Sequence, residues 1–159
     1  MSDEQIGFDI EFDDKTQAFL DWVAPENMEA HVRAFLSDTV PGIADYSDEW
    51  WKRPLLLDIL EASKQVFGDW SGFISPENRE SADRLVRFIG ECCARSRSGV
   101  RWVNIPEWNS ALYPDFGPSI RVDDDPMTDT SMVAITKSLF GNAGPATIEY
   151  SIRKVGIPT

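Results

Sequence analysis

The residues of this chain that could carry chemistry are few in type and poorly spaced for catalysis. Its one histidine, His31, lies between Met28 and Phe35 in a run of helical apolar spacing, which puts it at the boundary of a core, away from any recognisable nucleophile. There is no Gly-x-Ser-x-Gly elbow, no His-Glu-x-x-His pair and no dinucleotide fingerprint, and Gly141-Asn-Ala-Gly144 lacks the lysine of a phosphate-binding loop. Asp123-Asp124-Asp125 offers hard oxygen ligands, but a cation needs several oxygens converging on one point. Consecutive residues of an extended chain point to opposite sides, and the spacing lacks the alternate acids and sixth-position glycine of a calcium loop. Capping of a following helix, or a solvated acidic turn, is the expectation there. Cys92 and Cys93 are adjacent, so on a helix they point about 100° apart and lack metal-chelating spacing. They read as small buried thiols of a reducing cytosol. A carboxylate pair could perform hydrolysis, but among 27 acids no pattern selects one. No catalytic residue, metal or cofactor is expected.

Charge says more than motif. Residues 1–62 hold 15 acids against 4 bases, residues 63–122 hold 7 against 8, and residues 123–159 hold 5 against 3. Nearly all of the net charge of −12 therefore belongs to the first two-fifths of the chain. Such a field disfavours nucleic acid and anionic membrane and accelerates encounter with a basic partner. Arg95, Arg97 and Arg101 make a small basic cluster, the first two suiting the negative end of a helix. Trp108 lies in a long irregular stretch after Pro106, where a tryptophan suits an interface. The candidate partner-binding residues are Asp9, Glu11, Asp13, Trp108, Asp123, Asp124 and Asp125.

The elements that must position these residues follow from periodicity. Ile6, Phe8, Ile10 and Phe12 alternate with acids or glycine, predicting a strand over 6–13 with one acidic face. Asp14 caps a helix carrying Phe19, Leu20 and Val23 that ends at Pro25, and a second helix starts after Asn27 and stops at Pro41-Gly42. Leu55, Leu56, Ile59, Leu60, Ser63, Val66 and Phe67 form an amphipathic stripe closed by Gly68. Ser75-Pro76-Glu77 opens a helix reaching Ser96, flanked by Glu80–Arg84, Asp83–Arg87 and Glu91–Arg95, each with the acid four residues ahead of the base. Strands are predicted at Val100–Ile105 and Ser119–Val122, a helix across 128–141, and a final strand over 147–153, where Ile148, Tyr150 and Ile152 alternate with polar residues. The order β-α-α-α-α-β-β-α-β is that of an α+β fold, four to five helices on a small, mainly antiparallel sheet. A single domain over 1–159 is expected. The polar, acidic start and the absence of an apolar run near about 18 residues lead us to expect a cytoplasmic protein.

Ser81-Ala-Asp-Arg-Leu-Val-Arg-Phe-Ile-Gly-Glu91, then Val100-Arg-Trp-Val-Asn-Ile-Pro106 and Gly117-Pro118, resemble small uncharacterised domains common in actinobacteria, over residues 76–141. In composition the chain is similar to immunity proteins that neutralise polymorphic toxins. That likeness implies a non-catalytic acidic inhibitor covering the basic active-site groove of a toxin enzyme. A small-molecule-binding or regulatory domain is the alternative, and a carboxylate-dependent enzyme the third reading.

Overall fold

The computed structural model describes residues 14–39 and 46–155. Within them the chain is α+β, with seven α-helices and one three-stranded antiparallel sheet. The helices are α1 (residues 14–23), α2 (Pro25–Thr39), α3 (Leu55–Phe67), α4 (Trp70–Phe73), α5 (Arg79–Ser96), α6 (Met132–Lys137) and α7 (Pro145–Lys154). The strands are β1 (Val100–Asn104), β2 (Pro118–Val122) and β3 (Asp125–Ser131), in that spatial order. The strand expected over 6–13 lies outside the described residues, as does the Pro41-Gly42 breaker.

Helix α5 is the axis of the fold and packs on α2, α6, α7 and β1. Being covered on several sides, it buries Ala82, Leu85, Val86, Phe88, Ile89, Cys92 and Cys93. A short 3-10 turn, Pro76–Asn78, leads into it. Gly90 is required by a close approach: a Cβ there would lie 2.1 Å from the Trp102 ring of β1. Trp102 in turn donates its indole N–H to Glu91 at 3.0 Å. Two of the three expected acid–base pairs form, Glu80–Arg84 at 2.8 Å and Asp83–Arg87 at 2.9 Å. Glu91 and Arg95 take other partners, Trp102 and the Tyr46 hydroxyl.

Helix α3 buries Leu56, Ile59, Leu60, Ser63 and Phe67, and leaves Val66 exposed, contrary to expectation. The Ser63 hydroxyl donates to the Ile59 carbonyl at 2.7 Å, so its burial strands no polar group. Gly68, at φ 78°, donates its N–H to the Lys64 carbonyl and ends the helix. Trp22 of α1 fills the space between α5 and the sheet, with ring centroids 5.0 Å from Trp102 and 5.5 Å from Tyr113. Leu20, expected on the buried stripe, faces outward. Pro25 ends α1 and also opens α2, as a proline at the first turn can.

Two expectations fail at the C-terminal end. Residues 125–131 form β3, leaving only Met132–Lys137 and a 3-10 turn over Ser138–Phe140 helical in the span predicted as a helix. The Asp125-Pro126 start reads as a breaker, yet proline is tolerated on an edge strand. The strand is anchored by side chains: the Thr128 hydroxyl accepts the Val122 N–H at 2.8 Å, and Arg121 grips Asp129 at 2.7 and 2.9 Å. The segment predicted as a last strand is helix α7. Ile148 and Ile152 are four apart, a spacing that serves one face of a helix as well as one face of a strand. Gly144 (φ 43°) followed by Pro145 supplies a helix start that the alternation conceals.

Candidate partner-binding site

Val122 pairs with Asp125 across the β2–β3 ladder, so Asp123 and Asp124 alone make the turn, at φ 51° and 58°. A two-residue hairpin with positive φ at both central positions matches the right-handed twist of the strands, and Asp is among the residues that tolerate this region. The acidic triplet is therefore a hairpin turn and not a helix cap; Ser131 caps α6, accepting the Ala134 N–H at 3.2 Å. Two of its charges are matched. Arg97 lies 3.9 Å from Asp123, and Arg101 donates to Asp124 at 2.7 Å. The Asp125 carboxylate accepts the Met127 N–H at 3.0 Å within its own loop.

Beyond the turn the surface carries two large exposed apolar side chains. Met127 is 92% exposed and Tyr150, on the outer face of α7, is 51% exposed. With Thr128, Thr130, Ile135 and Val155 they border an open hollow of about 580 Å3. Its rim carries Asp125, Asp129 and Lys154, the Lys154 ammonium 5.8 Å from the Tyr150 ring centre. Among the described residues β3 has a strand neighbour on one side only. Met127 thus lies on a strand edge, with Tyr150 bordering the same hollow.

The other expected contact residues do not join this surface. Asp9, Glu11 and Asp13 lie outside the described residues, as do Asp3, Glu4 and Asp45. Trp108 is 41% exposed but follows β1, whose Asn104 pairs with Pro118, whereas the acidic turn adjoins the Val100–Val122 pair. It thus sits at the opposite end of the sheet, beyond about 13 Å of strand. Arg95 is the basic residue of the last turn of α5, as expected, and it also covers Trp50 and Trp51, 4.8 and 5.2 Å from their ring centres. Arg97 donates to the Val155 carbonyl at 2.6 Å.

His31 is half-buried, its Nδ1 has no hydrogen-bond partner, and desolvation, aided by the Arg87 charge, lowers its pKa. Burial pushes Cys93 up to about 12 and holds Cys92 well above the ordinary thiol range, so both stay protonated and poorly nucleophilic. Asp129 and Glu149 are held below the usual carboxylate range, chiefly by hydrogen bonds from Arg121 and Arg53. That direction is opposite to the raised value a general acid needs. Among the described residues, no group of three or more histidine, cysteine or carboxylate side chains is placed to hold a metal ion, and no helix is long and apolar enough to cross a membrane.

Sequence reasoning missed Met127 and Tyr150. Met127 falls in a stretch that reads as broken, and the alternation over 147–153 places Tyr150 on the apolar side of a strand. The available signal was the pair of turn-tolerant acids at the end of β2, which marks a two-residue hairpin. No protein-family model, curated protein or solved structure matches the chain.

Proposed function

We propose that the protein is a non-catalytic binding protein, an inhibitor of the immunity type, that covers the active site of a basic toxin enzyme. The docking surface is the tip of the β2–β3 hairpin together with the outer face of α7. The observation that carries this reading is the exposed Met127 beside Tyr150 on the rim of an open hollow. The local charges there are largely matched by arginines, so the apolar residues hold the complex. The long-range field of a chain with net charge −12 steers the encounter. In this reading Asp123 and Asp124, paired with Arg97 and Arg101, add to the steering field more than to the contact itself, and Trp108 lies at the other end of the sheet.

The test is co-purification from the native cells, followed by assay of any captured basic enzyme with and without this protein. The expected result is a one-to-one complex, loss of the enzyme's activity, and an association rate that falls as salt rises. Met127→Glu and Tyr150→Glu are expected to weaken binding at least about tenfold, with folding little changed because both side chains face solvent. Binding unaffected by both changes, or a captured partner whose activity is untouched, refutes the proposal.

A further inference from the structure

On the other side of α7 the charge pattern reverses. A cleft of about 370 Å3 is bordered by Trp51, Lys52, Arg53, Glu149 and Arg153. It brings three cations and one carboxylate together in a strongly acidic chain. Glu149 is almost fully buried, and both of its oxygens accept from Arg53 Nε, at 2.9 and 2.7 Å. Arg153, four residues on along α7, adds its charge to the field that holds Glu149 ionised. Lys52 pairs with the exposed Glu49 at the rim. Arg95, over the Trp51 ring, contributes another positive charge close by.

Arg53 has a particular geometry. Its Nε is taken up by the buried carboxylate while its side chain remains two-thirds exposed. A guanidinium is planar, so fixing the Nε edge orients both Nη groups. Such an arginine is pre-oriented to receive a second anion on its free side. The apolar wall of the same cleft is the half-buried Trp51, with Leu56 and Ile152 almost fully buried beneath it. The combination is that of a small-molecule site, largely apolar with a few converging polar groups.

We propose that this cleft binds a small phosphate monoester carrying a flat apolar group, with the phosphate on Arg53, Arg153 and Lys52 and the ring against Trp51. Lys52, Arg53, Arg153 and the neighbouring Arg95 against Glu149 and Glu49 leave a balance of +2, which matches the dianion of a monoester better than a single carboxylate. Glu149 acts as a positioning residue for Arg53 and does not touch the ligand. The site is independent of the hairpin surface, since it lies on the opposite face of α7.

The experiment is titration calorimetry of the whole chain with phenyl phosphate, inorganic phosphate and phenol in separate arms. Saturable binding of phenyl phosphate is expected, at least about tenfold tighter than inorganic phosphate and with no saturable binding of phenol. Arg153→Met leaves the Arg53–Glu149 pair intact and is expected to weaken phenyl phosphate about tenfold or more, as loss of a charge-assisted contact does. Arg53→Met is expected to do so more strongly, and should that variant fold poorly, the Arg153→Met result decides alone. Absence of saturable phenyl phosphate binding overturns the proposal, as does binding no tighter than inorganic phosphate or binding unchanged by Arg153→Met.

Discussion

Replacing Asp83 tests how the aromatic seam between α1, α5 and the β1–β2 loop is held. Its Oδ1 accepts the Trp22 indole N–H at 2.7 Å and the Tyr113 hydroxyl at 2.6 Å, while its Oδ2 accepts Arg87 Nε at 2.9 Å. The Arg87 side chain is 5% exposed, donates also to the Trp22 carbonyl at 2.7 Å and lies 4.3 Å from the Trp22 ring centre. Asp83→Ala removes an acceptor from two part-buried donors and leaves a buried guanidinium without its counter-charge. Hydrogen bonds to charged groups contribute about 1.5–3 kcal/mol each, and breaking a buried pair from one side costs about 3–5 kcal/mol. These losses overlap, so we expect about 3–5 kcal/mol in all, read from urea unfolding at pH 7. At about 2–4 °C per kcal/mol for a chain of this size, the melting temperature falls by about 6–20 °C. Asp83→Asn keeps an oxygen for Trp22 and Tyr113 but turns an amide N–H toward Arg87. Adding Arg87→Met removes that unpaired charge, so the double variant is expected to recover at least about 1 kcal/mol relative to Asp83→Asn alone. An Asp83→Ala variant within about 1 kcal/mol of the parent, or a double variant no more stable than Asp83→Asn, refutes this account.

Two further outcomes follow from the packing and the ion pairs. Gly90→Ala places a Cβ 2.1 Å from the rigid Trp102 ring, so α5 and β1 must separate, at an expected cost of about 1–3 kcal/mol measured by urea unfolding. Asp129 and Glu149 have folded-state pKa values below their ordinary ones, so the stability they contribute is complete above about pH 4–5 and is lost as pH falls through the depressed values. The urea midpoint should decline on acidification over that window, and Asp129→Asn with Glu149→Gln should flatten part of the decline; an unchanged slope in the double variant refutes the assignment.

Much of the helical half was legible because its signals are local. The α3 stripe with Gly68, the Pro76 start and the α5 pairs Glu80–Arg84 and Asp83–Arg87 depend on neighbours three or four residues away, and the structure keeps them. The α+β class follows from the change of period after Gly99, whereas the antiparallel pairing of β1 with β2 is set by the structure. The candidate site was legible only as an acidic triplet. Its exposed Met127 and Tyr150 needed knowledge of which face each element buries.

What the sequence determined alone is the amphipathic pattern, the charge total and the helix punctuation, all set by residues close in the chain. What only the tertiary structure decided is β3, α7 and the fate of the ionisable groups. Asp125–Ser131 becomes a strand because Arg121 and Thr128 meet it from across the hairpin. Pro145–Lys154 becomes a helix because its start favours one, and because Ile148 and Ile152 are buried in a core shared with α3 and α5. Glu149 is buried because Arg53, 96 positions away, covers it. Such partners are distant in sequence, and a periodicity shared by strand and helix cannot choose between them until packing supplies the other half of each contact.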